Sequence, residues 1–137
     1  LFHLAKQLGV EVNLLGRIPN DKMPTFYNRY KVYVICSHYE GNPKTMLEAM
    51  ACSCAVVGTN VPGIKEILQH KKNGMLVQEN PETLRETLQC LFSNAPLRKQ
   101  LGKAACQYIK MNNSLEATLK KEYALYQQLC KNWNRTY

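Results

Sequence analysis

No run of about 18 consecutive apolar residues occurs in this 137-residue chain, so nothing in it reads as a helix that crosses a bilayer. Internal repeats, low-complexity tracts and long linkers are also missing. With 45% hydrophobic and 20% charged residues, that leaves one compact globular domain. Histidine is scarce. His3, His38 and His70 are not spaced to complete a zinc site, and Cys52-Ser53-Cys54 has no second cysteine pair to join, which argues against a zinc centre. No serine, histidine and aspartate are grouped for nucleophilic catalysis. Acidic residues number 10 against 18 lysines and arginines, a net charge of +8. Yet Lys71-Lys72, Lys120-Lys121, Lys131 and Arg135 fall on separate elements without aromatic platforms between them, so the pattern argues against nucleic-acid binding. Tyr27, Tyr30 and Tyr33 read as packing residues of a helix and a strand. The six cysteines lie mostly among apolar neighbours in expected strands and helices, which suits reduced, buried thiols in a cytosolic protein.

What is present is alternation. Short β-rich runs predict strands over Glu11 to Leu15, Val32 to Cys36, Ala55 to Val57 and Gly74 to Val77. Between and after them, helices are predicted over Lys22 to Arg29, Lys44 to Cys52, Gly63 to Gln69 and Pro81 to Phe92. Phe2 to Leu8 reads as the end of an amphipathic helix. Strand and helix alternating over short connections imply a Rossmann-like, doubly wound parallel sheet covered on both faces, an α/β fold. From Pro96 the pattern is purely helical. Apolar residues recur three to four apart in Pro96 to Met111 and again in Ser114 to Trp133, for which Ser114 is a suitable N-cap.

One stretch carries chemistry. Glu40-Gly41-Asn42-Pro43-Lys44-Thr45-Met46-Leu47-Glu48 sets two carboxylates eight positions apart where a strand passes into a helix. Such crossings, at the carboxyl ends of parallel strands, are where open α/β sheets bind ligands. With Asn42 as N-cap and Pro43 in the first turn, the backbone N–H groups at the helix start would face the loop and favour a phosphate. Glu48 would sit one turn inside, roughly 6 Å along the axis at ~1.5 Å per residue, leaning back toward the same end. Glu40 would approach from the loop. Carboxylates accept hydrogen bonds from hydroxyls, so a phosphate flanked by two of them suits a nucleotide-sugar. Each residue also has a plainer role: Glu48 as a solvent-facing helix residue, Glu40 as loop surface, and Lys44 as a charge leaning into water. Gly58, Gly63 and Gly74 read as turn or helix-entry positions, and Glu66 as a first-turn helix charge. His38 is a simple loop histidine or a residue at the site rim.

EGNPKTMLEAMA, VVGTNVPGIKE and NGMLV, with Leu14 to Pro19 and Cys36-Ser37 before them, resemble in order the donor-binding half of the family-four retaining GT-B glycosyltransferases. The resemblance covers nearly the whole chain. It implies that 1–137 is a single donor domain, the C-terminal half of a GT-B fold, truncated at its N-terminus and lacking the acceptor domain. It also implies that Glu48 binds the donor ribose and Glu40 lies by the sugar at the reacting centre. Backbone N–H groups of Lys44 and Thr45 would meet the diphosphate. Gly16, Arg17 and Ile18 would border the base, and Ser37 and Gly41 shape the approach to the sugar. Where the family commonly has an aromatic and a glycine, this chain has Asn42 and Pro43. Proline offers no N–H, and the Asn42 side-chain amide would replace it only in part.

The activity so implied is transfer of a sugar, with retention, from a UDP- or GDP-linked donor to an acceptor hydroxyl, in glycan or surface-polysaccharide biosynthesis. No metal is required and there is no other cofactor. The acceptor, a glycan or a lipid-linked one, would be held by the missing N-terminal domain. The expected location is cytoplasmic, with peripheral contact at the inner membrane face as one use of the positive charge. Two other readings are compatible with the residues. One is a catalytically silent sugar-nucleotide or phosphate binding module, to which Pro43 and the absent first strand point. The other is a nucleotide-sugar epimerase with only His38 and Glu40 as candidate bases.

Overall fold

β-Branched and small apolar residues at Val32–Ile35, Ala55–Thr59 and Met75–Val77 form three parallel strands, β1, β2 and β3, in that spatial order. The computed structural model describes residues 2–133. The helices are α1 Phe2–Gln7, α2 Met23–Arg29, α3 Lys44–Ala51, α4 Pro81–Ser93, α5 Ala95–Asn112 and α6 Leu115–Trp133, with a 3-10 turn at Asn20–Lys22. In register, Val32 pairs with Ala55 and Ile35 with Gly58, while Val57 pairs with Met75 and Thr59 with Val77.

Central strand β2 is buried along its whole length, and successive residues point to opposite faces of the sheet. Val56 packs with Ile35, Met46, Met50, Ile64, Leu68 and Ile109 on one side. Its neighbour Val57 packs with Met75, Val77, Leu91 and Leu101 on the other. The sheet is therefore covered on both faces, the arrangement that apolar parallel strands require. Helix α5 reaches both layers, supplying Ala105 and Ile109 to the first and Leu101 to the second. It lies so near the turn before β2 that a Cβ on Gly102 would stand 2.0 Å from the Ser53 carbonyl oxygen. β1 is an edge strand, with Val34 38% exposed.

Five expectations need correction. Residues 8–19 contain no strand, and Leu14 and Leu15 are exposed. Alternating apolar residues make a strand only with a neighbour to pair with, and among the described residues β1 pairs with β2 alone. Gly63 to Gln69 is a series of turns rather than a helix. It opens on Gly63 at φ +81, and the Gln69 N–H goes to Asn73 Oδ1 at 2.6 Å instead of continuing a helical ladder. Glu66, expected as a first-turn charge, accepts from the Gly63 N–H at 3.4 Å within these turns, and Gly58 lies inside β2 rather than at a turn. The cysteines are less buried than expected: Cys54 is buried, Cys52 and Cys106 are half-buried, and Cys36, Cys90 and Cys130 are exposed, all as free thiols.

The helical end is as expected. Asn80 caps α4 by accepting from the Thr83 N–H at 2.9 Å, and Ser114 caps α6 by accepting from the Ala117 N–H at 3.2 Å. Helix α6 leaves Leu115, Leu119, Tyr123, Tyr126 and Leu129 more than half exposed. No helix of the described residues is long and apolar enough to cross a membrane.

Candidate active site

The chain leaves β1 at Ile35 and does not become helical until Lys44, so residues 36–43 form a loop at the C-terminal edge of the sheet. Three contacts fix this loop. Thr59, at the end of β2, donates its hydroxyl to the Ser37 carbonyl at 2.5 Å. The Ser37 hydroxyl donates to Glu40 Oε1 at 2.6 Å, and the Glu40 N–H donates to the Pro62 carbonyl at 3.3 Å. The turn at Pro62-Gly63 presses from behind. Gly63 adopts φ +81, and a Cβ there would lie 1.8 Å from the Glu40 carbonyl oxygen. The conformation and the closeness both demand glycine. The VPGIKE block thus acts as a backstop for Glu40, which is half-buried.

Glu48 is held from a different element. It lies on α3, exposed, and its Oε2 accepts the Tyr27 hydroxyl of α2 at 3.0 Å. One turn earlier, Thr45 Oγ1 accepts the Tyr33 hydroxyl of β1 at 2.7 Å. The two tyrosine rings meet edge to face, with centroids 6.0 Å apart and planes at 73°. Burial, followed by the hydrogen bond to and charge of Glu48, pushes the Tyr27 phenol well above its ordinary pKa. The Tyr33 phenol is raised as well, by burial first. The charges of Glu40 and Glu48 add to that rise. Both glutamates therefore act on one phenol, and the fold brings Ser37, Glu40, Thr45 and Glu48 into one neighbourhood.

The remaining predicted residues are less closely joined. Gly41 and Asn42 are exposed on the loop, and a Cβ on Gly41 would meet nothing within 4 Å, which leaves open space beside Glu40. Asn42 does not cap α3 with its side chain. Its carbonyl accepts the Lys44 N–H at 2.8 Å, while Pro43, buried, holds the N-cap position. The Lys44 N–H, expected to face a diphosphate, is used within the loop. Lys44 itself is exposed, as are Gly16 and Arg17, with Ile18 half-buried. Gly16 to Ile18 lie in the segment without regular structure, and no hydrogen bond ties them to the glutamates.

Beside this group, at the ends of all three strands, is a cavity of about 250 Å³ lined by Cys36, His38, Thr59, Val77, Glu79 and Leu84 among others. His38 Nδ1 contacts the Glu79 carboxylate across its rim. Ser37 and His38 thus serve opposite sides of the loop, one facing Glu40 and the other the cavity. Sequence reasoning missed Glu79, and it assigned Tyr27 and Tyr33 to packing. The only signal for them was three tyrosines between positions 27 and 33. Among the described residues no three histidine, cysteine or acidic side chains are grouped as for a metal ion.

The sequence profile of the family described as "Glycosyl transferases group 1" matches residues 1–108. An uncharacterised glycosyltransferase of Methanocaldococcus jannaschii is 36% identical over 100 residues, 72% of this chain and 28% of its own length. Sucrose-phosphate synthase from Thermosynechococcus elongatus superposes with a TM-score of 0.86 at 24% identity, over 96% of this chain and 34% of its own. HepE of Anabaena, solved in complex with UDP, gives a TM-score of 0.79 at 21% identity, over 93% and 35%. The chain spans about a third of the length of the proteins it matches. Its fold is the Rossmann-like half of the GT-B enzymes. By profile, by identity and by the ordered blocks around Glu40 and Glu48, the chain belongs to the group 1 glycosyl transferases.

Proposed function

We propose that this site holds a UDP- or GDP-linked sugar and that the protein transfers the sugar, with retention, to an acceptor hydroxyl in glycan or surface-polysaccharide biosynthesis. The observation that carries the reading is the pair Glu40 and Glu48, each tied by a hydroxyl donor and set on either side of the start of α3. Glu48 accepts from the ribose diol. Glu40 orients the sugar ring and steadies positive charge near it. In the transfer, the bond from the anomeric carbon to the diphosphate oxygen breaks as a bond to the acceptor oxygen forms, and the acceptor proton passes to the departing phosphate. Negative charge then grows on the leaving group beside the helix start, where the N-terminal dipole and Lys44 favour it. No metal enters this scheme. The UDP held by HepE, on the same fold, supports a nucleotide donor.

The acceptor, a glycan or a lipid-linked one, falls to an N-terminal domain beyond this chain. Nucleotide-sugars place the work in the cytoplasm, and the net charge of +8 suits contact with an acidic inner membrane face. The buried Pro43 and the internally used Lys44 N–H favour a second reading, a silent binding module that holds the donor without transferring it. Steady-state kinetics on the full-length protein separate the two. Glu48→Ala is expected to raise the donor KM about tenfold, and Glu40→Ala to lower kcat by about 100-fold. Unchanged kinetics in both variants would remove the site assignment, and donor binding without any turnover would leave the silent module.

A further inference from the structure

We infer that Tyr27 and Tyr33 are positioning residues that set the hydrogen-bonding polarity of the donor site, Tyr27 through Glu48 and Tyr33 through Thr45; this rests on the donor reading above. Tyr27 is fixed at three points. Its carbonyl accepts the Cys54 thiol at 3.0 Å, its ring meets that of Tyr33, and its hydroxyl reaches Glu48. Only 6% of the residue is exposed. Glu48 by contrast is a long side chain on an exposed helix face, where rotamer freedom of up to about 2 kcal/mol opposes any single orientation. A rigid phenol bonded to Oε2 selects one.

The direction of each bond matters. An ionised carboxylate has about four lone-pair sites and only accepts. Tyr27 takes one of them, which leaves Glu48 an oriented acceptor for hydroxyl groups. Thr45 can both donate and accept. With its oxygen receiving the Tyr33 proton, the Thr45 hydroxyl hydrogen is free to donate, the polarity an anionic phosphate needs. Two phenols from neighbouring elements, packed edge to face, thus prepare an acceptor for a diol and, one helical turn away, a donor for a diphosphate. Packing alone would need the rings but not the hydroxyls, and here one hydroxyl ends on the Glu48 carboxylate and the other on the Thr45 side chain, beside the backbone N–H expected at the diphosphate.

Removing each hydroxyl while keeping its ring tests this, with UDP and GDP and their 2′,3′-dideoxy forms titrated calorimetrically into the full-length protein. Tyr27→Phe is expected to weaken the parent nucleotide about threefold to tenfold, to leave the dideoxy form within about twofold, and to add almost nothing in a Glu48→Ala background. Tyr33→Phe is expected to weaken parent and dideoxy nucleotides alike, because its effect is on the diphosphate. Unchanged affinity in Tyr27→Phe overturns the inference. So does equal loss for both nucleotide forms in that variant, or full additivity with Glu48→Ala, since either identifies Tyr27 as ordinary packing. If Tyr27→Phe does not fold, the Tyr33→Phe pattern decides alone, and a loss confined to the parent nucleotide overturns the assignment. If Glu48→Ala binds as tightly as wild type, the donor reading itself fails and the positioning role falls with it.

Discussion

Gly63 shows how much of this site depends on a residue with no side chain. Its φ of +81 and the 1.8 Å separation that a Cβ would have from the Glu40 carbonyl oxygen mean that any substitution must move the loop bearing Glu40. Gly63→Ala is therefore expected to cost about 1–3 kcal/mol of stability and to lower kcat about tenfold or more, as urea unfolding and steady-state kinetics would measure. Wild-type values in both would show that the turn does not brace Glu40. The paired glutamates were legible in the sequence because ordered blocks surround them. The partners that hold them were not. Ser37 lies three positions from Glu40 and was named for the sugar approach, yet Tyr27 lies 21 positions from Glu48 and meets it only after α2 and α3 have packed. A hydroxyl on an otherwise apolar ring gives no periodic signal of where it will end.

Among the elements that frame the site, the start of α3 departs from its expected form in its capping. Pro43 holds the N-cap position with φ −75 and ψ 71, and no side chain caps the helix. Pro43→Gly would restore a donor N–H beside the anion site. It would also raise the entropy of the unfolded chain, at about 0.4–1 kcal/mol, and remove a buried ring. A lower melting temperature is expected together with donor binding tightened about threefold, read by thermal unfolding and calorimetry. If affinity falls with stability, the proline is shaping the site rather than depriving it. The elements themselves were read well wherever local pattern and tertiary setting agree. β1, β2 and β3 are apolar runs buried in a sheet, and α4 and α5 have three-to-four periodicity with asparagine caps. Pattern failed where setting overrides it. Glu11 to Leu15 alternates like a strand without a partner strand, and Gly63 to Gln69 has helical composition but opens on a left-handed glycine and closes on the Asn73 side chain.

For the molecule as a whole, the tightly packed layer beneath the site makes stability depend on alkaline pH. Cys54, 4% exposed, has its thiol pushed up to about 11 by burial and then by Cys52, from the ordinary 9.0. A raised folded-state pKa means the folded protein holds the proton more tightly than the unfolded chain does. Its contribution is complete below about pH 9 and is lost as pH rises through about 11. The raised Tyr27 phenol acts with the same sign. Urea midpoints measured across that window are expected to fall in the wild type and to fall less in Cys54→Ala; parallel profiles would rule the thiol out as the cause. The same three-stranded sheet has a further consequence at the margin formed by β1. The outward N–H and C=O groups of Val32 to Ile35 meet no strand among the described residues, and Val34 is partly open to water beside them. An uncovered margin of this kind is a template for another extended chain.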